Sequence, residues 1–101
     1  MAAEVAVSQQ ARDDLFSIYI WVAEAADLAV ADGYDARLRK ACLSLADVPH
    51  RGTPHEELAP GLRSIPFERR ATIFYRVTDE HVEIVRVLPK GRDTRRAFDA
   101  G

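Results

Sequence analysis

The chain has 101 residues, 48% hydrophobic and 30% charged, with a formal net charge of −2. That places it among soluble globular proteins, with one domain and one core expected over residues 1–101. No apolar run approaches the roughly 18 residues of a membrane helix. Met1-Ala2-Ala3-Glu4-Val5 is not a basic segment followed by an apolar one, so no secretory leader and no membrane role are expected.

The single Cys42 cannot form an internal disulfide and fits a reducing cytoplasm. The charge is uneven: residues 1–50 carry 4 basic against 8 acidic side chains, and residues 51–101 carry 10 against 8. Nearly all the basic residues of the second half are Arg, whose planar fork suits an acidic protein partner or nucleic acid.

Val5-Ala6-Val7 reads as a short edge strand that ends at Ser8, an N-cap for a helix beginning at Gln9. Ala11, Leu15, Ile18, Tyr19, Val22 and Ala26 recur at helical spacing and form one apolar stripe; Trp21 lies off it. Asp13 and Asp14 come early in this helix, near the positive end of its dipole, and read as exposed. Asp27 caps a second helix with a stripe of Leu28, Ala31, Tyr34, Leu38, Ala41, Cys42 and Leu45. Gly33 weakens it and Pro49 requires it to stop by Val48. Two such helices with a tight join predict an antiparallel helical hairpin, held to the rest by Leu15, Ile18, Val22, Leu38 and Leu45.

Residues 50–61 hold Gly52, Pro54, Pro60 and Gly61 and read as a loop. His50 and His55 lie in it, but no Cys, Asp or Glu spacing completes a metal site, and two exposed histidines are expected. Leu62–Ile65, Ala71–Val77 and Val82–Leu88 then supply strands, the last two rich in β-branched and aromatic residues and separated by Thr78-Asp79-Glu80-His81. A three-stranded antiparallel meander covered by the helical hairpin is the simplest arrangement, giving an α+β fold. Alternation puts Val82, Ile84, Arg86 and Leu88 on one face, where an Arg needs a carboxylate, a polar rim or a binding groove. Gly91 allows a turn, and Asp93 or Thr94 caps a last helical turn that Phe98 docks.

No nucleophile constellation stands out: the serines lack the glycines of a nucleophile elbow, and Cys42 falls on an inner helical stripe. No phosphate-binding glycine loop is present, and neither metal nor cofactor is expected. The remaining candidates are Arg63, Arg69, Arg70, Arg76, Arg86, Arg92, Arg95 and Arg96.

Several pieces carry a resemblance. They are Ser8-x-x-Ala11-x-x-Asp14-Leu15-x-x-Ile18-Tyr19, Cys42-Leu43-x-Leu45-Ala46-x-x-Pro49-x-x-Gly52, Leu58-x-Pro60-Gly61-Leu62-Arg63-Ser64 and Ile73-Phe74-Tyr75-Arg76-Val77. Val82-x-Ile84-x-Arg86-Val87-Leu88, followed by Gly91-Arg92-Asp93, completes the set. In this order, over about residues 5–98, the chain resembles the ParE branch of the ParE/RelE superfamily of toxins from bacterial toxin–antitoxin systems. The resemblance implies a ParE/RelE-like α+β fold, in which an N-terminal strand and a helical hairpin pack on a small antiparallel sheet with a short C-terminal helical turn.

The resemblance also implies two activities. RelE-type members are ribosome-dependent mRNA endonucleases that use a few basic residues and a C-terminal Tyr. Those positions fall near Ala59, Gly61, Thr72 and Phe98 in this chain, and only Arg92 keeps a basic side chain. Phe lacks the hydroxyl that proton transfer requires. ParE-type members are instead similar to inhibitors that trap DNA gyrase on cleaved DNA, a protein-binding activity rather than a catalytic one. The implied partners are a ParD-like ribbon-helix-helix antitoxin, in a hetero-oligomer, and DNA gyrase; DNA is met only through the antitoxin. A ribonuclease with a displaced set of residues, or a non-toxic remnant that still binds antitoxin, are the alternatives. Trp21, Arg76 and Arg86 are the expected antitoxin contacts, with Arg86 available unless an internal partner such as Glu83 or Asp93 takes it. Arg92, Arg95, Arg96 and Phe98 are the expected target contacts.

Overall fold

The structure, a computed structural model, describes residues 4–99. In chain order it consists of β1 (Glu4–Val7), α1 (Gln9–Ala25), α2 (Leu28–Ser44), β2 (Thr53–Pro54), β3 (Leu62–Phe67), β4 (Ala71–Val77), β5 (His81–Pro89) and α3 (Thr94–Asp99). The sheet is larger than the expected meander: five strands in the order β1-β5-β4-β3-β2. The predicted meander forms its middle. β1 runs parallel to β5 at one edge, and β2, within the predicted loop, pairs antiparallel with β3 at the other. A strand of two residues carries no periodicity, so the sequence pattern could not reveal β2.

Both helices start where their caps predict. The Ser8 hydroxyl accepts a hydrogen bond from the Ala11 N–H (3.0 Å), and the Asp27 carboxylate accepts one from the Val30 N–H (2.8 Å). Each satisfies an amide that the first helical turn leaves without a partner. Helix α2 ends at Ser44, ahead of Val48, and residues 45–47 continue as turns.

The sheet carries two cores. On one face the helical hairpin packs Ala11, Leu15, Ile18, Tyr34, Leu38, Cys42 and Leu45 onto Ile65, Phe67, Ile73, Tyr75, Val82, Ile84 and Val87. Val22 joins this core partly buried, so all five side chains expected to hold the hairpin do so. Leu28 does not: it is 65% exposed at the start of α2. On the other face Leu62, Phe74 and Leu88 pack with Leu58, Ala59, Ala97 and Phe98, and this small core docks α3. The Phe98 and Phe74 rings meet edge-on at 5.0 Å.

A β-bulge corrects the expected face of β5. Phe74 pairs with Arg86 while the next residue, Tyr75, pairs with Ile84, so Val85 is the extra residue. The extra residue inverts the alternation. Val87 therefore joins Val82 and Ile84 beneath the helices, and Leu88 packs on the opposite face instead of beside them.

Candidate functional site

The region around the bulge is built by α1. Strand β1 pairs only with residues 81–84 of β5, so the rest of that edge runs past it. Helix α1 takes over there. Ser8 donates its N–H to the Ile84 carbonyl (3.0 Å) and its hydroxyl to the Val85 carbonyl (2.8 Å). Nearly two turns on, Asp14 accepts the Val87 N–H at 2.9 Å. Main-chain groups that would form an open sheet edge are thereby satisfied.

Asp14 also receives both arms of the Arg86 fork, Nε at 2.8 Å and Nη2 at 3.0 Å. The remaining nitrogen, Nη1, donates to the Ala97 carbonyl in α3 at 3.2 Å. Arg86 and Asp14 are 9% and 8% exposed. The hydrogen bond to Asp14 raises the Arg86 pKa above its ordinary value, against burial, which lowers it. This bears on two expectations. Asp14 faces inward rather than lying exposed at the helix start, and Arg86 has an internal partner, which is neither Glu83 nor Asp93. Glu83 is bound to Arg76 at 2.7 Å.

Two clefts lie on either side of this pair. The first, about 200 Å³, is lined by Asp14, Ile18, Trp21, Val87, Pro89 and Arg92. Trp21 is 62% exposed, and with Phe16 and Ile20 it forms an apolar outer face on α1. The second, about 410 Å³, is lined by Arg86, Arg92, Asp93, Arg96 and Ala97. Arg92 borders both. Asp93 caps α3 by accepting the Arg96 N–H at 3.1 Å. A third cleft lies on the α3 face, where Ser64, Thr72, Phe74 and Arg95 surround His55.

His55 is part-buried, a correction to the expected exposed loop residue. Its Nε2 lies 2.7 Å from the Ser64 hydroxyl and its Nδ1 lies 3.3 Å from Glu57, so the ring ties the 55–59 turn to β3. The Glu57 carboxyl is held below its usual range, first by a backbone hydrogen bond and then by His55. His50 is exposed. Among the described residues no group of three or more His, Cys, Asp or Glu side chains could hold a metal ion. No helix there is long and apolar enough to cross a membrane.

The structure thus gathers Trp21, Arg92 and Arg96 around adjoining clefts and puts Arg95 in the third. Phe98, expected at the target surface, is half-buried as an anchor of the small core. Arg76 stands apart, on β4 opposite Glu83. Trp21 sits beside Pro89, six residues further along β5, which is roughly 20 Å by strand rise. Asp14 is the side chain that sequence reasoning missed. Its signal was present: positions 11, 14, 15 and 18 complete an i, i+3, i+4, i+7 set, so it stands on the inner stripe.

A helical hairpin on one sheet face and an Arg-bearing tail docked on the other define the class: a small α+β protein of ParE/RelE-like architecture. A family model described as "ParE toxin of type II toxin-antitoxin system, parDE" matches residues 5–94. The chain belongs to this ParE toxin family. Among solved structures it is similar to a chain of the chromosomal ParDE toxin–antitoxin system from P. aeruginosa, with a TM-score of 0.76 at 20% identity. That likeness covers 87% of this chain and 96% of the other, and at this identity it shows the fold. A search of curated proteins finds no match.

Proposed function

We propose that this protein arrests growth by poisoning DNA gyrase and is neutralised by a ParD-type ribbon-helix-helix antitoxin, with which it forms a cytoplasmic hetero-oligomer. The observation that carries the reading is the family match over residues 5–94. The surface supports a binding mode of action. Arg92, Arg95 and Arg96 are exposed on and beside α3 and form the proposed target surface. At the positions where a RelE-type ribonuclease would hold its lysines, central Arg and terminal Tyr, Ala59 and Phe98 are packed into the small core. The other two positions carry Gly61 and Thr72.

Trp21, with the apolar outer face of α1, is the proposed antitoxin anchor. Arg76 is a secondary contact: 42% of its side chain remains exposed beside Glu83, so a second carboxylate could reach it. Arg86 serves internally, and DNA is reached through the antitoxin.

Induced expression tests the reading. Growth should stop when the toxin is produced alone and resume when a ParD-type antitoxin is co-produced. Growth unaffected by the toxin would point to a remnant that only binds antitoxin. Arrest accompanied by ribosome-dependent cuts in mRNA would contradict the gyrase reading.

A further inference from the structure

We infer that Ser64, His55 and Glu57 form a nucleophile, base and orienting carboxylate in the cleft on the α3 face, and that this site hydrolyses carboxylic esters with a short acyl chain. Neither gyrase nor an antitoxin enters this chemistry. The activity is additional to the proposed toxin action.

Ser64 stands on β3 opposite Phe74 of β4, two residues after Leu62, and lines the cleft on their face of the sheet. His55 follows β2 and is fixed by its main chain. Its N–H donates to the Leu62 carbonyl at 2.8 Å, and its carbonyl accepts from the Leu58 N–H at 3.0 Å. The Phe74 ring packs against the imidazole, with centroids 5.7 Å apart. So held, His55 puts Nε2 2.7 Å from the Ser64 hydroxyl and Nδ1 3.3 Å from a Glu57 carboxylate oxygen. A hydroxyl, an imidazole and a carboxylate within reach in that order activate serine on unrelated folds, whatever their order along the chain. The Glu57 carboxyl is held below its usual range, first by a backbone hydrogen bond and then by His55, so it is an anionic acceptor. A carboxylate only accepts, so in the neutral ring Nδ1 carries the proton and Nε2 is left to take the one on Ser64.

All three side chains line one cleft of about 420 Å³, room for a small ligand. Leu58 and Phe74 give it an apolar wall for a short acyl chain, and Arg95 stands at the same cleft. Arg95 makes no salt bridge among the described residues, so its guanidinium is available to the charge that develops on a carbonyl oxygen. In the first step the Ser64 oxygen bonds to the carbonyl carbon while His55 Nε2 takes the hydroxyl proton. Collapse of the tetrahedral intermediate breaks the bond to the alcohol, which leaves with that proton. Water then attacks the acyl-serine as it gives a proton to His55. The bond from Ser64 to the acyl carbon breaks, and the proton returns to Ser64. Ester and water become acid and alcohol, with no other reactant needed.

Two reagents applied to the full chain test the site. A fluorophosphonate should label Ser64 and no other residue, as mapped by peptide mass spectrometry. p-Nitrophenyl acetate should be hydrolysed over many turnovers by the parent and not by the labelled protein. His55→Gln keeps a hydrogen-bonding group beside Ser64 but no base, and should slow labelling about a hundredfold. Glu57 is a positioning residue. Glu57→Gln should lower the maximal labelling rate and leave the half-saturating reagent concentration unchanged, and Glu57→Asp should recover most of the rate. His50→Gln, in the same loop but exposed, should react as the parent does. A folded parent that takes no label, a label on another residue, an unchanged rate in His55→Gln, or ester hydrolysis that survives labelling would each overturn the proposal.

Discussion

Asp14 and Arg86 form a buried ion pair, 8% and 9% exposed. A buried ion pair contributes little net stability compared with an apolar replacement, but breaking one side strands the other charge. Asp14→Ala would leave the Arg86 guanidinium and the Val87 N–H without their acceptor. The expected cost is on the order of 3–5 kcal/mol, a large part of the roughly 5–15 kcal/mol that holds a small domain together. Replacing both residues, Asp14→Leu with Arg86→Met, should recover much of it. Urea unfolding of the two single variants and the double variant decides the matter. Strictly additive losses would contradict the pairing. Cys42 makes a smaller and pH-dependent contribution. Burial pushes its thiol up from 9.0 to about 11, with Arg39 pulling the other way. The folded chain keeps a proton that the unfolded chain releases, so the stabilisation is complete below pH 9 and is lost as pH climbs through about 11. Relative to Cys42→Ala, the parent should lose about 2–3 kcal/mol across that window. Parallel stability curves for the two proteins would rule this out.

The elements show which parts of the fold sequence patterns can carry. Both helix starts were legible because their caps, Ser8 and Asp27, act through hydrogen bonds to residues three positions on. The bulge at Val85 was not legible. Val82, Ile84, Arg86 and Leu88 alternate without a break, and only pairing with Phe74 and Tyr75 reveals the extra residue. The β3–β4 turn hides a similar surprise. Glu68 and Arg69 both sit in the left-handed region, at φ 49° and 59°, in the turn closed by the Arg70 N–H on the Phe67 carbonyl. Asn-Gly is the usual pair for this geometry, so nothing in Glu-Arg announced it. Each left-handed L-residue costs about 1–2 kcal/mol. Glu68 is held by its salt bridge to Arg37, at 2.7 Å, which ties the turn to α2. Arg69 makes no salt bridge among the described residues. Arg69→Gly should therefore stabilise the protein by about 0.5–1 kcal/mol, raising the thermal midpoint by a few degrees. A lower midpoint would contradict the strain.

At the scale of the whole molecule, the proposed function draws on two surfaces separated by one buried pair. Helix α1 presents Trp21, Phe16 and Ile20 outward, and α3 presents Arg95 and Arg96, with Arg92 just before it. Asp14 and Arg86 join α1 to β5, and Arg86 reaches α3 through the Ala97 carbonyl. The Arg residues of the tail could be named from sequence because charge is visible there. Their grouping with Trp21 could not, because it depends on where β5 delivers Pro89 and Arg92 beneath α1. The Arg-bearing surface is proposed to act against gyrase. The most direct measurement adds the purified protein to purified gyrase, supercoiled DNA and ATP, then denatures the mixture and counts broken DNA. The account predicts cleaved DNA covalently attached to gyrase, reduced when Arg92 and Arg96 are both changed to Gln and abolished by a ParD-type antitoxin. Intact DNA and undiminished supercoiling at saturating toxin would contradict it.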